Sequence, residues 1–143
     1  MNQRFDAFIT QFMRIDRAFQ RIKAQQMAEF GLKGAHVMIL SHLGEYPEGL
    51  TAAMLSTLCV EDKAAISRSI RDLESKGLVT RSGGTGSAGY RSQIKLTKEG
   101  RQICKEIDNR IDAFMAKATQ DMPENRLNTT RDSLKQIADN LED

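Results

Sequence analysis

Five residues between positions 63 and 71 have side chains of the kinds that contact phosphates and base edges. They are Lys63, Ala64, Ser67, Arg68 and Arg71. At 3.6 residues per turn these positions share one face of a helix, and Ile66, Ile70 and Leu73 share the opposite face. Cationic and hydroxyl groups hydrogen-bond phosphates and base edges, whereas the apolar side chains suit a protein core. The spacing therefore predicts a helix with one buried face and one face that contacts DNA.

The residue types assign different contacts to this face. Arg68 is the candidate for a base contact, because a guanidinium group can donate to guanine O6 and N7 together. Lys63 and Arg71 are candidates for phosphate contacts, which position a protein without reading sequence. The alanine in the first turn allows close approach and contact with a thymine methyl group. An alternative for Arg71 is a surface ion pair with Asp72 or Glu74, since exposed pairs of this kind are common.

Turn and capping residues indicate what positions this helix. Thr51 is a candidate N-cap for a short helix over 52–58, and Asp62 for the DNA-contacting helix over 63–76, which Gly77 ends. Two alternating segments follow, 78–82 and 92–96, separated by a glycine-rich loop. Two helices joined by a tight turn and followed by a hairpin form a winged helix-turn-helix. The predicted fold is mainly α with this small β-hairpin as the wing.

The hairpin carries three further candidate DNA contacts. Arg91 is expected to enter the minor groove, and Arg81 and Lys95 to flank the DNA backbone. The alternative is that the loop tip is disordered and has no such role. Residues 84–89 fit the pattern G-x-G-x-x-G, but a strand rather than a helix follows, so a dinucleotide site is not expected. The sequence predicts no cofactor.

Long amphipathic helices are predicted on both sides of this unit. Over 4–29 the apolar residues recur at alternating intervals of three and four, at Phe5, Phe8, Phe12, Ile15, Phe19 and Ile22. Thr97 is a candidate N-cap for the first of the last two helices, and Met122 and Pro123 separate the two. Pro123 suits the first turn of the last helix. Both helices have similar apolar stripes. The stripes either close one intramolecular core or pair with a second copy, and the second interpretation is favoured. We therefore expect a helical dimerisation region over 1–33 and 98–143 and a DNA-binding region over 34–97, intertwined as one domain.

The charge is unevenly distributed. The net charge is +4 over residues 51–101, +1 over residues 1–50 and −3 over residues 102–143, which makes +2 for the chain. A basic centre is typical of a nucleic-acid-binding module, although a solvated helical face has a similar composition. Two distant cysteines, Cys59 and Cys104, fit a reducing compartment. With neither a signal peptide nor a membrane-spanning run apparent, a cytoplasmic location is expected.

The segment over residues 50–101 resembles the MarR family of bacterial regulators. The resemblance rests on DKAAISRSIRDLESKGLVTR, the glycine-rich wing with Tyr90 and Arg91, and the closing LTKEGR. It implies a triangular homodimer whose terminal helices interlock and whose winged helices bind a pseudo-palindromic operator, as a repressor. One departure is Gly89, where family members commonly have an aspartate that holds the wing arginine.

The resemblance also implies that a small aromatic or phenolic effector releases the protein from DNA. The effector cavity of the family lies against the first helix, which makes Phe12, His36 and Ile39 candidate pocket residues. A packed or solvated histidine is the alternative for His36.

Three other functions are weaker interpretations of the sequence. The segment Cys59-Val60-Glu61-Asp62 faintly resembles the metal-binding helix of arsenic-repressor-type sensors. Glu61 stands where a second thiolate would be needed, and no metal site is predicted. Oxidant sensing by Cys59 or Cys104 lacks obvious cationic neighbours that would activate a thiol. A winged helix used only for protein interaction would bind DNA without steep salt dependence. With no recognisable catalytic constellation, an enzyme is not expected.

Overall fold

The structure is a computed structural model that describes residues 2–82 and 92–142. In these residues the chain forms six helices and one antiparallel hairpin, which confirms the predicted fold class. The elements are α1 (Gln3–Ala28), α2 (His36–Glu45), α3 (Ala52–Cys59), α4 (Lys63–Ser75), β1 (Val79–Ser82), β2 (Gln93–Leu96), α5 (Lys98–Ala118) and α6 (Glu124–Leu141). They group into two compact units, Met1–Asp108 and Asn109–Asp143.

Predicted capping residues begin three helices of the first unit, α3, α4 and α5. The Thr51 hydroxyl accepts a hydrogen bond from the Met54 N–H at 3.1 Å, and Thr97 accepts one from Gly100 at 3.0 Å. A capping side chain satisfies one of the backbone N–H groups that the first turn of a helix leaves without a partner. These contacts fix where α3 and α5 start.

After both α3 and α4 the chain has a residue in the left-handed backbone conformation, but the two residues are of different types. After α4 the residue is Gly77, with φ of +73°, as the sequence predicted. After α3 it is Val60, with φ of 54° and ψ of 49°. A β-branched residue adopts this conformation at an energetic cost, because its side chain crowds the backbone. The turn that joins α3 to α4 is therefore strained at Val60.

The hairpin is held to the helices by a third short pairing and by a close approach. Val79 pairs with Leu96 and Ser82 with Gln93, and Leu50 forms an isolated bridge with Ile94. The first turn of α5 packs against the chain just before β1, where a Cβ atom on Gly100 would lie 2.0 Å from the Leu78 carbonyl oxygen. Only glycine allows this approach, which fixes the hairpin against α5.

The core of the first unit contains apolar side chains from α2, α3, α4, α5 and both strands. From α1 it contains only Met27 among the described residues. Among the residues that the structure describes, six apolar side chains are completely buried: Leu40, Leu55, Ile70, Leu73, Ile94 and Ile107. Burying a side chain of this size contributes roughly 1.5–3 kcal/mol to stability. The core therefore fixes α4 against α2, α3 and the hairpin, so the outer face of α4 has a defined orientation.

The second unit consists of the C-terminal part of α5, from Asn109 onwards, and all of α6. Pro123 occupies the N-cap position of α6, one residue before the first turn in which the sequence placed it. The apolar side chains of the second unit are half-buried at best, and Leu134 and Leu141 are 45% and 79% exposed. Among the described residues, no helix is both long and apolar enough to span a bilayer. The predicted dimerisation role of residues 1–33 and 98–143 concerns assembly, and it stays a prediction.

Candidate nucleic-acid interface

The two faces of α4 differ as the sequence predicted. Ile66, Ile70 and Leu73 are at most 2% exposed. On the opposite face Ser67 is half-buried, and four residues are exposed: Lys63, Ala64, Arg68 and Arg71. The five candidate contact residues of this helix therefore lie together at the surface of the first unit. The arrangement suits contact with an anionic ligand, because three of the five are cations.

The turn that leads into α4 is held by its own hydrogen bonds. The Glu61 N–H donates to the Ser56 carbonyl oxygen at 3.1 Å, and the Ser56 hydroxyl donates to the Glu61 carbonyl oxygen. One residue later the Asp62 carboxylate accepts from the Ala65 N–H at 2.7 Å. These bonds set the angle between α3 and α4, which determines how far α4 projects from the unit.

An ion pair joins the base of the hairpin to α4. The Nε atom of Arg81 lies 2.8 Å from Oε1 of Glu74, and each side chain is about one-third exposed. Arg81, a predicted backbone contact, is therefore held by a carboxylate of α4, while Lys95 is exposed. Arg91, the predicted minor-groove contact, and Gly89 lie outside the described residues.

The acidic neighbours of Arg71 have other partners. Glu74 pairs with Arg81, and the Asp72 carboxylate lies 3.6 Å from Nε2 of His36. A surface ion pair with one of these acids was the alternative to a phosphate contact for Arg71. Their engagement elsewhere favours the phosphate contact, which stays a prediction.

The three candidate effector-pocket residues lie in different environments. Phe12 is 38% exposed, and its ring centroid is 5.0 Å from that of Phe8. His36 and Ile39 are each 1% exposed. The His36 imidazole accepts from the Lys33 N–H through Nδ1 at 3.0 Å and faces Asp72 through Nε2. This histidine is packed into the structure, which was the alternative for it, and the effector pocket stays a prediction.

Neither cysteine has the surroundings of a reactive thiolate. Burial raises the pKa of Cys59 to about 11, with a further contribution from Glu61. Burial, followed by Asp108, likewise raises the pKa of Cys104 to about 11. Both thiols are protonated at neutral pH, which weakens the oxidant-sensor interpretation. In the described part of the chain, no three His, Cys, Asp or Glu side chains come close enough together to hold a metal ion.

Lys33 is a cation near α4 that the sequence interpretation did not include. It lines a hollow of about 450 Å³ together with Arg68 and Arg71. Lys33 belongs to the turn before α2, about 30 residues away from α4 in sequence. No local pattern places it beside the DNA-contacting face, because only the packing of α2 against α4 brings it there.

An exposed cationic helix that follows a tight turn and precedes an antiparallel hairpin defines the winged helix-turn-helix class. Residues 30–86 match the model of the MarR family. This match confirms the resemblance to the MarR family that the sequence predicted. No curated protein sequence matches the chain significantly.

Solved structures of MarR family regulators are similar to almost the whole chain. A MarR family transcriptional regulator from Listeria monocytogenes in complex with 26mer DNA has a TM-score of 0.82 at 22% identity, over 93% of this chain and 87% of that one. CouR from Rhodococcus jostii RHA1 bound to p-coumaroyl-CoA has a TM-score of 0.80 at 23% identity, over 96% of each chain. The S. aureus MepR–DNA complex has a TM-score of 0.81 at 18% identity, over 93% of this chain and 96% of that one. At these identities the similarity establishes the fold.

Proposed function

We propose that this protein is a sequence-specific DNA-binding regulator of transcription that binds a pseudo-palindromic operator as a homodimer and acts as a repressor. The observation that carries the proposal is the outer face of α4. Its three cations and Ala64 are exposed and Ser67 is half-buried, whereas the opposite apolar face is fully buried, and capping and turn hydrogen bonds fix the helix. The MarR family match and two DNA-bound structures of the same fold support it.

The proposed symmetry follows from geometry. Two copies related by a twofold axis would present two α4 helices, and these reach successive major grooves when they are about 34 Å apart. An inverted repeat is the DNA sequence that matches such a pair. The exposed apolar stripe of α1 supports pairing of two copies, because a monomer rarely leaves such a surface in water.

We also propose a small aromatic ligand as effector, with Phe12, His36 and Ile39 as pocket residues. The complex of CouR with p-coumaroyl-CoA supports this class of ligand, because that protein has the same fold. Phe12 supplies an exposed ring, whereas His36 and Ile39 are buried. A ligand would change DNA affinity by binding one arrangement of the protein better than another.

The test of DNA binding and symmetry is selection of bound sequences from random duplex DNA by the purified protein. We expect an enriched inverted repeat with half-sites one helical turn apart. Recovery of random sequences alone would contradict sequence-specific binding. A single enriched half-site would contradict the dimeric operator but not DNA binding.

The variant Arg68→Ala tests the role of α4 in specificity. We expect affinity for the operator to fall by about 1–3 kcal/mol more than affinity for unrelated duplex DNA, because a bidentate contact with guanine is lost in addition to the charge. Binding to both duplexes is measured by fluorescence anisotropy at fixed salt. Arg126→Ala, at an exposed arginine of α6, is the matched control and should change neither affinity. Equal losses on the two duplexes in Arg68→Ala would refute a specifying role for this residue.

A further inference from the structure

The hollow beside α4 has walls from two separate elements of the first unit. One wall is formed by Lys33, in the turn before α2, and by His36, the first residue of α2. The other wall is formed by Arg68, Arg71 and Asp72 of α4. The volume is about 450 Å³. The hollow therefore extends the cationic surface of α4 onto a second element.

The charges in the hollow favour an anion. Lys33, Arg68 and Arg71 are exposed cations, and Asp72 is the one carboxylate among the described lining residues. The hollow has a net charge of +2 when His36 is neutral. Lysine and arginine form their strongest hydrogen bonds with charged oxygens, and phosphate offers several such oxygens at one point.

His36 connects the two walls. Its Nδ1 accepts from the Lys33 N–H at 3.0 Å, so the ring proton of the neutral form is on Nε2. Nε2 faces Oδ2 of Asp72 at 3.6 Å, on α4. The imidazole is 1% exposed, and burial lowers its pKa below 6.5. A neutral, buried ring therefore sets the spacing between the Lys33 backbone and α4, and it keeps the Asp72 carboxylate on the side of the hollow next to the ring.

We propose that this hollow binds a phosphate group and that Lys33 is a phosphate-contacting residue, with His36 as a positioning residue. The phosphate belongs to the DNA backbone if the proposed function is correct, and in that case this inference rests on it. A free phosphorylated molecule is the other source of the same chemistry. Lys33 is suited to phosphate rather than to a base edge, because an ammonium group is a point charge without the planar fork that reads guanine.

The experiment for the DNA backbone compares Lys33→Gln with the wild-type protein over a range of salt concentrations. Loss of one phosphate contact lowers the slope of log affinity against log salt by about 0.9 and weakens binding roughly tenfold at 0.1 M salt. The loss should be equal for the selected operator and for unrelated duplex DNA, because a phosphate contact does not read sequence. Lys117→Gln, at an exposed lysine of the last turn of α5, is the matched control and should leave the slope unchanged.

Asp72→Asn gives a change of the opposite sign. Removing the carboxylate raises the net charge of the hollow, so affinity for unrelated duplex DNA should rise severalfold. A fall in affinity would contradict a phosphate in the hollow. The expected rise in affinity cannot be attributed to misfolding, because a misfolded protein would bind DNA less well.

A second arm uses pyrophosphate without DNA and monitors the His36 imidazole signals by NMR. If Lys33→Gln abolishes a pyrophosphate-induced shift but leaves the DNA salt slope unchanged, the site takes free phosphorylated molecules. If the wild-type protein does not bind duplex DNA but shows the Lys33-dependent shift, the proposed function fails and the phosphate site stands. If Lys33→Gln changes neither readout, the phosphate site is refuted.

Discussion

His36 shows how one buried side chain makes stability depend on pH. Its Nδ1 already accepts a backbone N–H, so protonation at that nitrogen breaks the hydrogen bond from Lys33. The pKa of His36 is lowered, chiefly by burial; Asp72 acts to raise it, and the nearby Lys33 and Lys76 lower it further. The folded protein therefore binds a proton at this ring less readily than the unfolded chain does.

The expected consequence is a loss of stability on acidification. Because the folded pKa is below 6.5, the contribution of His36 is fully present above pH 6.5 and is lost as the pH falls towards the folded value. One proton changes the free energy of unfolding by at most about 1.4 kcal/mol per pH unit. Urea unfolding at several pH values measures this slope.

The matched variant for this prediction is His36→Asn, which keeps an acceptor near the position of Nδ1 and does not titrate. As the pH falls below 6.5, we expect the unfolding free energy of His36→Asn to change less than that of the wild-type protein, even if the two proteins differ in absolute stability. Every other ionisable group is present in both proteins, so the comparison isolates the contribution of His36. An identical pH slope in the two proteins would contradict the assigned role of His36.

At the scale of elements, the turn between α3 and α4 has a strained residue at a site where function depends on geometry. Val60 is 85% exposed and has φ of 54°, so its side chain contributes little packing. Its N–H and that of Glu61 donate to carbonyl groups near the end of α3, and these bonds require the left-handed conformation. The turn therefore holds a conformation that glycine adopts more easily.

Val60→Gly should stabilise the protein. A left-handed L-residue costs about 1–2 kcal/mol and the entropy of glycine offsets about 0.5–1 kcal/mol, so we expect a net gain of about 0.5–1 kcal/mol in the free energy of unfolding. Chemical denaturation measures the gain. Val60→Ala is the control, because it truncates the side chain but keeps a Cβ atom in the left-handed conformation. A gain of the same size in both variants would show that strain is not the cause.

The elements could be predicted from the sequence where local rules determine them. Thr51, Asp62 and Thr97 cap the helices as predicted, and Gly77 ends α4, because caps and left-handed glycines act over a few residues. Val60 was not predicted, since residue type alone favours glycine at such a position. Lys33 was missed for a different reason, because its place beside Arg68 depends on how α2 packs against α4. Local patterns therefore predicted the DNA-contacting helix but not the second wall of the hollow.

At the scale of the whole molecule, the stripe of α1 shows what one copy of the chain leaves uncovered. The stripe residues Phe5, Phe8 and Ile15 are between 47% and 66% exposed. The phenyl rings of Phe8 and Phe12 stack in a tilted contact that forms a continuous apolar surface. Burying such a surface against a second copy gains free energy roughly in proportion to the apolar area removed from water. The stripe therefore favours the interpretation in which two copies pair over the one in which a single chain closes its own core.

Phe8→Glu tests whether two copies pair through this stripe. A carboxylate in the centre of an apolar interface loses its hydration without a partner, so the variant should be a monomer of 16.0 kDa where the wild type has twice that mass. Sedimentation equilibrium gives both masses. Thr10→Glu places the same charge on the opposite side of α1, at an exposed position, and should remain a dimer. A wild-type mass of one chain, or a dimeric Phe8→Glu, would contradict pairing through this stripe. If the stripe pairs the two copies, Phe8→Glu should also lose affinity for an inverted repeat while its affinity for a single half-site is unchanged, because each copy keeps its own α4.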